Sequence, residues 1–263
     1  MLDKLVAMAP LLRTCPGLIT LGVRASMGDY TPGERKILLA ARLIFFPTPR
    51  FAGILEAAGK KTFPSAFAYR VRKSRLAQEV LFQFLKCPHP RTRIYYGRQK
   101  SGIADDFPPP FLAMGPRIST GSRLVSGAHD LPALSVLHNP LIIQEIVEYE
   151  ERFQLVFLDY ECVGILKWVP GRAQRSFDGS EIPTAPRTVN REAPEHFSRE
   201  IVSRLEKLLR SVRLNDIAVE IGITRHGWQL IEFVRPPLSW PSHEGVAHRL
   251  RFICRLIESN RFR

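Results

Sequence analysis

Two glutamates in the last third of the chain stand at a spacing that lets them work together. Val219-Glu220-Ile221-Gly222-Ile223-Thr224 and Trp228-Gln229-Leu230-Ile231-Glu232-Phe233 flank Arg225-His226-Gly227. Apolar-rich runs on either side of a three-residue loop ending in glycine predict a β-hairpin. In that register Thr224 faces Trp228 and Glu220 faces Glu232. One sheet face then carries Val219, Ile221, Ile223, Ile231 and Phe233, and the other carries both carboxylates. Like charges opposite one another on neighbouring strands repel, and a positive centre between them relieves the repulsion. A divalent cation does this, because Mg²⁺ favours a few carboxylate oxygens together with phosphate and water. Two alternatives stay open: one glutamate pairs with an arginine such as Arg235, or the register shifts and the two never meet.

Other reactive residue types give less. The four cysteines, at 15, 87, 162 and 254, include no C-x-x-C pair and no histidine at ligand spacing, so neither a zinc site nor a disulfide framework is expected. His129 and His138 have no serine or cysteine partner at an identifiable spacing, which removes support for a hydrolase triad. His89 stands between two prolines and reads as a loop residue.

These groups need elements to position them. Ile19 to Val23 reads as a strand. Thr31-Pro32-Gly33-Glu34 is a capping box with proline at the first helical position, leading a helix through Lys36 to Arg42. Leu43 to Phe46 is a second strand, and a helix from about Arg50 stops at Gly59. The first 60 residues therefore alternate strand and helix, the pattern of a small parallel sheet. Arg72 to Lys86 carries apolar residues at Leu76, Val80, Leu81, Phe84 and Leu85, a helical stripe. Arg93 to Tyr96 and Phe111 to Met114 read as strands. From Leu141 onward come a strand, two hairpins separated by a helix over about 194–212, and a closing helix over about 244–257, so antiparallel sheet is expected after the parallel start.

The chain has 263 residues, 38 Lys+Arg against 25 Asp+Glu, a formal charge of +13, and 45% apolar residues. This excludes disordered and low-complexity chains and allows a sizeable core. The positive excess draws anionic partners, yet no basic run reaches the five or more residues of a nucleic-acid-binding arm, and nucleic acid is not the expected partner. No apolar stretch approaches the 18 or more residues of a membrane helix. The run Leu5 to Leu12 is interrupted by Pro10 and lacks a cleavage signature. A cytoplasmic protein with no membrane partner is expected, and a homodimer stays open.

Taken together, these segments resemble the ATP-grasp superfamily, in the branch of glutathione synthetase and the ribosomal-protein glutamate ligases, from about Gly17 to Pro241. The resemblance rests on Lys73 opening a helix that runs to Cys87-Pro88-His89-Pro90-Arg91-Thr92, on Phe111-Leu112-Ala113-Met114-Gly115-Pro116 with a following Gly121, and on Leu141-Ile142-Ile143-Gln144-Glu145. It continues through Glu150-Glu151-Arg152 and Asp216-Ile217-Ala218-Val219-Glu220 with Leu230-Ile231-Glu232-Phe233.

The resemblance implies a mixed α+β and α/β fold: an N-terminal parallel-sheet domain over 1–70 and two α+β subdomains, 71–140 and 141–263, clasping a nucleotide cleft. It implies ATP and Mg²⁺ as cofactors and a ligase that activates a small carboxylate or peptide substrate as an acyl phosphate for attack by an amine. Carried over, Lys73 resembles a phosphate-binding lysine, Gln144 and Glu145 the adenine-edge hinge, and Glu150 or Glu151 the ribose-contacting acid, with Arg152 as a nucleotide contact. Ser119, Gly121 and Ser122 resemble the lid loop over the phosphates, Lys167 a basic phosphate contact, and Glu220 and Glu232 the magnesium carboxylates. Two positions depart from the pattern: Met114 stands where a second ATP-binding lysine is usual, and Val234 where an asparagine is. Arg117 and Arg235 lie beside these losses, Arg235 as a compensating catalytic cation. The alternative reading is a catalytically weakened protein that binds nucleotide or another anion and works as a regulatory or interaction module.

Overall fold

The computed structural model describes residues 4–127, 130, 136, 138–168, 174–175, 181–182, 199–242 and 245–262. In chain order the first elements are β1 (Lys4–Ala7), β2 (Leu18–Thr20), α1 (Pro32–Ala40), β3 (Ala41–Phe45), α2 (Pro49–Ala57) and β4 (Lys61–Phe63). Next come α3 (Ala66–Val71), α4 (Arg75–Phe84), β5 (Thr92–Tyr95), α5 (Ile103–Asp106), β6 (Phe111–Met114), β7 (Ser122–Val125) and β8 (Leu141–Glu145). They are followed by β9 (Glu151–Leu158), β10 (Glu161–Lys167), β11 (Gln174–Arg175), β12 (Glu181–Ile182), α6 (Arg199–Ser211), β13 (Asp216–Thr224) and β14 (Gly227–Val234). A short strand pair, β15 (Ser239–Ser242) and β16 (Gly245–His248), and helix α7 (Arg249–Glu258) end the series. The chain packs as two compact units: Met1–Tyr69 with Leu155–Ala218 and Arg235–Arg263, and Arg70–Gln154 with Val219–Val234.

The first unit is built on a parallel sheet in the order β2-β1-β3-β4. Its inner strand β1 comes from the run Leu5-Val6-Ala7-Met8, which the sequence presents only as an apolar stretch cut by Pro10. Both faces of the sheet are covered, so the strand is apolar throughout instead of alternating. Val6, Met8 and Ile44 pack with Leu38 of α1 and Phe51 and Leu55 of α2. Leu5, Ala7 and Phe45 pack with Val156, Leu158, Ile253 and Phe262. The rings of Phe45, Phe63 and Phe262 meet with centroids 5.0 to 5.7 Å apart. The capping box before α1 forms as the sequence predicts: Thr31 Oγ1 accepts from Glu34 N at 3.2 Å and Glu34 Oε2 accepts from Thr31 N at 2.7 Å. The helix ends at Ala40, two residues earlier than expected, because Ala41 and Leu43 are drawn into β3 beside β1. Helix α2 ends as Gly59 turns left-handed at φ 77°.

The second unit contains an antiparallel sheet in the order β5-β8-β6-β7, closed by a core of Tyr95, Ile103, Phe107, Phe111, Val125 and Ile143. The first residues of β9, the later residues of β13 and all of β14 belong to it as well.

Four expectations change. The helix predicted over Arg72–Lys86 begins at Arg75, since Ser74 caps it by accepting from Ala77 N at 3.1 Å. Of its expected apolar stripe Leu81 is buried, but Val80 is 53% and Phe84 79% exposed, and the buried face is completed by Gln78, Glu79 and Phe82. The segment expected to open the closing helix forms β16 from Gly245, and α7 starts at Arg249; position 244, like 194–198 of the preceding predicted helix and His129, lies outside the described residues. The last hairpin closes over Arg225-His226, with Gly227 as the first residue of β14.

A buried ion pair holds α7 in the first unit. Arg249 and Asp216 are 3% and 0% exposed, and the guanidinium reaches both carboxylate oxygens from Nη2 at 2.6 and 2.5 Å. Removing one partner of such a pair strands the other charge, which costs about 3–5 kcal/mol. Arg249→Leu is therefore expected to lower unfolding stability by about that amount in chemical denaturation. The double change Arg249→Leu with Asp216→Leu should recover most of the loss.

Candidate active site

Helix α4 presents Arg75, Gln78, Glu79 and Phe82 along one face, the i, i+3, i+4, i+7 spacing of a single helical stripe. Each is engaged by a different part of the second unit. The Gln78 amide pairs with β14 as another strand would: its Nε2 donates to Phe233 O at 2.8 Å and its Oε1 accepts from Phe233 N at 2.9 Å, with a second donation to Val71 O at 2.9 Å. This fixes the strand one residue beyond Glu232. Glu79 forms an ion pair with His89 Nε2 at 3.2 Å, and the other ring nitrogen lies 2.7 Å from Cys87 O. The hydrogen bond that Glu79 accepts from the ring raises the His89 pKa above its ordinary value. The Phe82 ring packs on Phe233 and His89 with centroids 5.2 and 5.8 Å away.

The two glutamates come together next to this face. Glu220 is 8% exposed and accepts from Arg152 Nη2 at 3.3 Å and Gln154 Nε2 at 3.5 Å. Burial lifts its pKa to about 7, with Arg152 pulling it down and the neighbouring Glu232 pushing it up. Burial also raises Glu232, against Arg75 and Arg152. The Oε1 atom of Glu232 is buried and has no hydrogen-bond partner. Tyr149 lies flat on Gly222, where any Cβ would meet its ring at 2.0 Å. Only glycine lets this aromatic cover the strand two residues from Glu220.

Arg75 ties the carboxylates to a loop. Its Nη1 donates to Arg117 O at 3.1 Å and Gly121 O at 2.7 Å, and Glu232 acts on its charge. The loop start is pinned by Leu76 N donating to Pro116 O at 3.3 Å and Ile118 N donating to Lys73 O at 3.2 Å. Thr120 Oγ1 donates to Arg117 O, and Gly121 turns left-handed at φ 71°. Arg75, Gln78, Glu79 and Glu232 line a cavity of about 160 Å³ together with Met114, Ser122, Ile142 and Gln144.

Neither a protein-family model nor a curated protein matches the chain. Solved structures do. The ATP-grasp ligase PsnB, complexed with minimal precursor, Mg and ADP, superposes with a TM-score of 0.63 at 13% identity, over 99% of each chain. A RimK domain protein ATP-grasp from Sphaerobacter thermophilus matches with a TM-score of 0.58 at 12% identity, over 88% of this chain and 90% of that one. N5-carboxyaminoimidazole ribonucleotide synthetase from Thermotoga maritima gives 0.58 at 12% identity, over 91% and 68%. The chain has the ATP-grasp fold.

Within this ATP-grasp fold the residues singled out from sequence fall into three groups. Glu220, Glu232, Arg152, Gln144 and Ser122 stand in or beside the carboxylate cavity, as does Met114. Glu145 lies at the end of β8, where its Oε1 accepts from Arg91 N at 2.7 Å, and Glu151 opens β9. Lys73, Arg117, Ser119 and Gly121 are exposed on the turn and loop that Arg75 holds, and Lys73 does not line the cavity. Lys167 ends β10, and exposed Arg235 follows β14; both belong to the first unit. Sequence reasoning missed Arg75, Gln78, Glu79 and the ion-paired role of His89. The signal was present in the i, i+3, i+4 spacing of three polar residues next to the Ser74 cap.

Among the described residues no group of three or more His, Cys, Asp or Glu side chains is placed to hold a metal ion, so the two carboxylates stand as a pair. An orphaned buried oxygen on Glu232 and the mutual repulsion of two raised acids both call for positive charge. Burial of Glu220, with Glu232 adding to it, sets a pH dependence. The folded-state pKa of Glu220, about 7, lies above its ordinary 4.5, so protonation favours folding: the stabilisation is complete below about 4.5 and is lost as pH rises through about 7. Glu220→Gln should therefore be more stable than the parent above pH 7, by roughly 2 kcal/mol, and nearly equal to it at pH 4. Urea melts at the two pH values check this.

Proposed function

We propose that this chain is an ATP-grasp ligase-like protein of the cytoplasm that binds Mg-ATP and activates a small carboxylate or peptide substrate for attack by an amine. The observation that carries the reading is the unpartnered, buried oxygen of Glu232, which lines a cavity with Arg75 and acts on the charge of Glu220. The neighbouring PsnB structure holds Mg, ADP and a precursor, which supports the same class of ligands here. The cavity, about 160 Å³, is below the 300–1,000 Å³ of sites that enclose an organic ligand. It suits terminal phosphate groups, with the nucleoside lying toward Gln144 and Glu145.

In this reading Glu220 and Glu232 hold the magnesium. The ion supplies charge neutralisation for the phosphates when bound. The chain's own residues do the rest. Arg75 offers a guanidinium to the phosphates while it fixes the loop of Arg117, Ser119, Gly121 and Ser122, whose backbone N–H groups can approach an anion. Gln78 locks the strand that carries Glu232, so that this carboxylate does not need to be ordered during the reaction. Arg152 neutralises Glu220 when the cation is absent and adds positive charge for the nucleotide when it is present. Lys73, Lys167 and Arg235 are proposed as outer phosphate and substrate contacts. In the reaction, a carboxylate oxygen of the substrate attacks the terminal phosphorus and ADP leaves; the amine then attacks the acyl carbon, releasing phosphate and a proton.

One observation favours the weakened alternative. Met114 lines the cavity beside Glu232, and a thioether gives a phosphate no charge where the resemblance expects lysine. A missing donor of this kind costs about 3 kcal/mol in the transition state.

Melting the protein with ATP and Mg²⁺ tests the proposal, since a ligand that binds only the folded state stabilises it by mass action. A rise in Tm is expected, and its Mg²⁺-dependent part should disappear in Glu232→Gln while that variant without ligand melts no lower than the parent. Arg75→Met should weaken nucleotide binding about 10-fold or more. No shift at millimolar nucleotide overturns the reading. A shift without ADP release across amino acids and peptides selects the weakened form.

A further inference from the structure

The first unit contains a second cavity, of about 540 Å³, inside the range of sites that enclose small molecules. It shares no lining residue with the carboxylate cavity. Cations reach it from separate parts of the chain: Lys60 and Lys61 at the start of β4, and Arg210 and Arg213 at and after the end of α6, with Arg42 of β3. Against these five stand two acids, Glu56 and Asp159. Glu56 is already used, its Oε1 accepting from Thr62 Oγ1 at 2.7 Å and Ala66 N at 2.9 Å. Among the described residues, Lys61, Arg210 and Arg213 make no ion pair.

The wall around these cations is fixed in advance. Asn215 is buried; its Oδ1 accepts from Ser65 N, its Nδ2 donates to Thr62 O, and its backbone O accepts from Asp159 N, each at 2.8 Å. Ser65 Oγ donates to Arg213 O at 2.7 Å. Asp159, Tyr160 and Arg213 all have left-handed backbone, at φ 48°, 69° and 58°. Asp159 and Tyr160 are the two-residue turn that joins β9 to β10, and Arg213 is the left-handed stop after α6, so these values belong to the turns themselves. The turn displays the Tyr160 ring, over which the Arg210 guanidinium lies at 4.9 Å. An excess of cations around a concave, ligand-sized space is the arrangement that recognises a compact polyanion.

We propose that this cavity binds a small, multiply charged phosphate compound, independently of the nucleotide reading above. The concave shape and volume favour a molecule over an extended nucleic acid or peptide, and the lone turn aromatic leaves room for an organic part next to the phosphates.

Titration calorimetry of the full chain with pyrophosphate in the absence of Mg²⁺, and separately with a sugar bisphosphate, tests this. Binding is expected in the micromolar to sub-millimolar range, weakening as salt rises from about 0.05 to 0.5 M. Lys61→Glu with Arg213→Glu should raise Kd at least about 10-fold for both compounds, and the neutral pair Lys61→Met with Arg213→Met should raise it less. Both side chains are on exposed residues, and an unchanged circular dichroism spectrum confirms that the variants fold. Arg75→Met should leave the affinity for pyrophosphate unchanged, and the double variant should keep the Mg-ATP melting shift. Tighter binding of the sugar bisphosphate supports an organic source, and equal affinity supports free phosphate. No binding, binding indifferent to the two substitutions, loss of binding in Arg75→Met, or preference for an acidic peptide over pyrophosphate overturns the proposal.

Discussion

The burial of two neighbouring carboxylates, Glu220 and Glu232, is the constraint that the polar interior of the second unit answers. Two carboxylates that burial already holds above their ordinary pKa are brought within each other's field, and the surrounding chain responds by supplying positive charge from two directions. Arg152 approaches Glu220 from β9, and Arg75 acts on Glu232 from α4. Neither arginine satisfies the pair fully, because one oxygen of Glu232 stays without a hydrogen bond. A buried acid pair of this kind is an unfavourable arrangement for stability alone, and the fold maintains it by anchoring each contributing element separately: Gln78 holds β14, Ser74 caps α4, and Tyr149 lies against Gly222.

The ATP-grasp fold and the acid pair speak to different questions. A shared fold at 9–16% identity establishes how the chain is built, and folds of this generality host many chemistries. Function must be argued from Glu220, Glu232, Arg75 and the loop that Arg75 holds. Met114 lines the same cavity and brings no charge to it.

The carboxylate pair was legible because both glutamates stand in apolar runs flanking a short turn; their faces were not, since Leu230 is buried with Phe233 while Ile231 lines the cavity with Glu232. Phe111–Met114 and Leu141–Glu145 were legible for the same reason: short, strongly apolar runs between turn residues have few other solutions. Helix α4 was not, since amphipathic reasoning assigns polar residues to solvent. Here the polar residues Gln78 and Glu79 are inside because they serve a polar cavity and a strand edge, while Val80 and Phe84 face out. Strand β1 was hidden by its brevity and by the proline after it, although a strand covered on both faces has no alternation to display. The basic cavity of the first unit was invisible in sequence because its cations come from positions 42, 60, 61, 210 and 213, brought together only by the fold.

The Gln78 amide has one more effect. Strand β14 ends its sheet in the order β10-β9-β13-β14, and an outermost strand offers free backbone groups to any extended segment that drifts alongside. By occupying both the N–H and the C=O of Phe233, a single side chain closes that rim at the point where a passing strand would take hold. The residue that steadies a glutamate thereby also takes up the backbone groups that an incoming strand would need at Phe233.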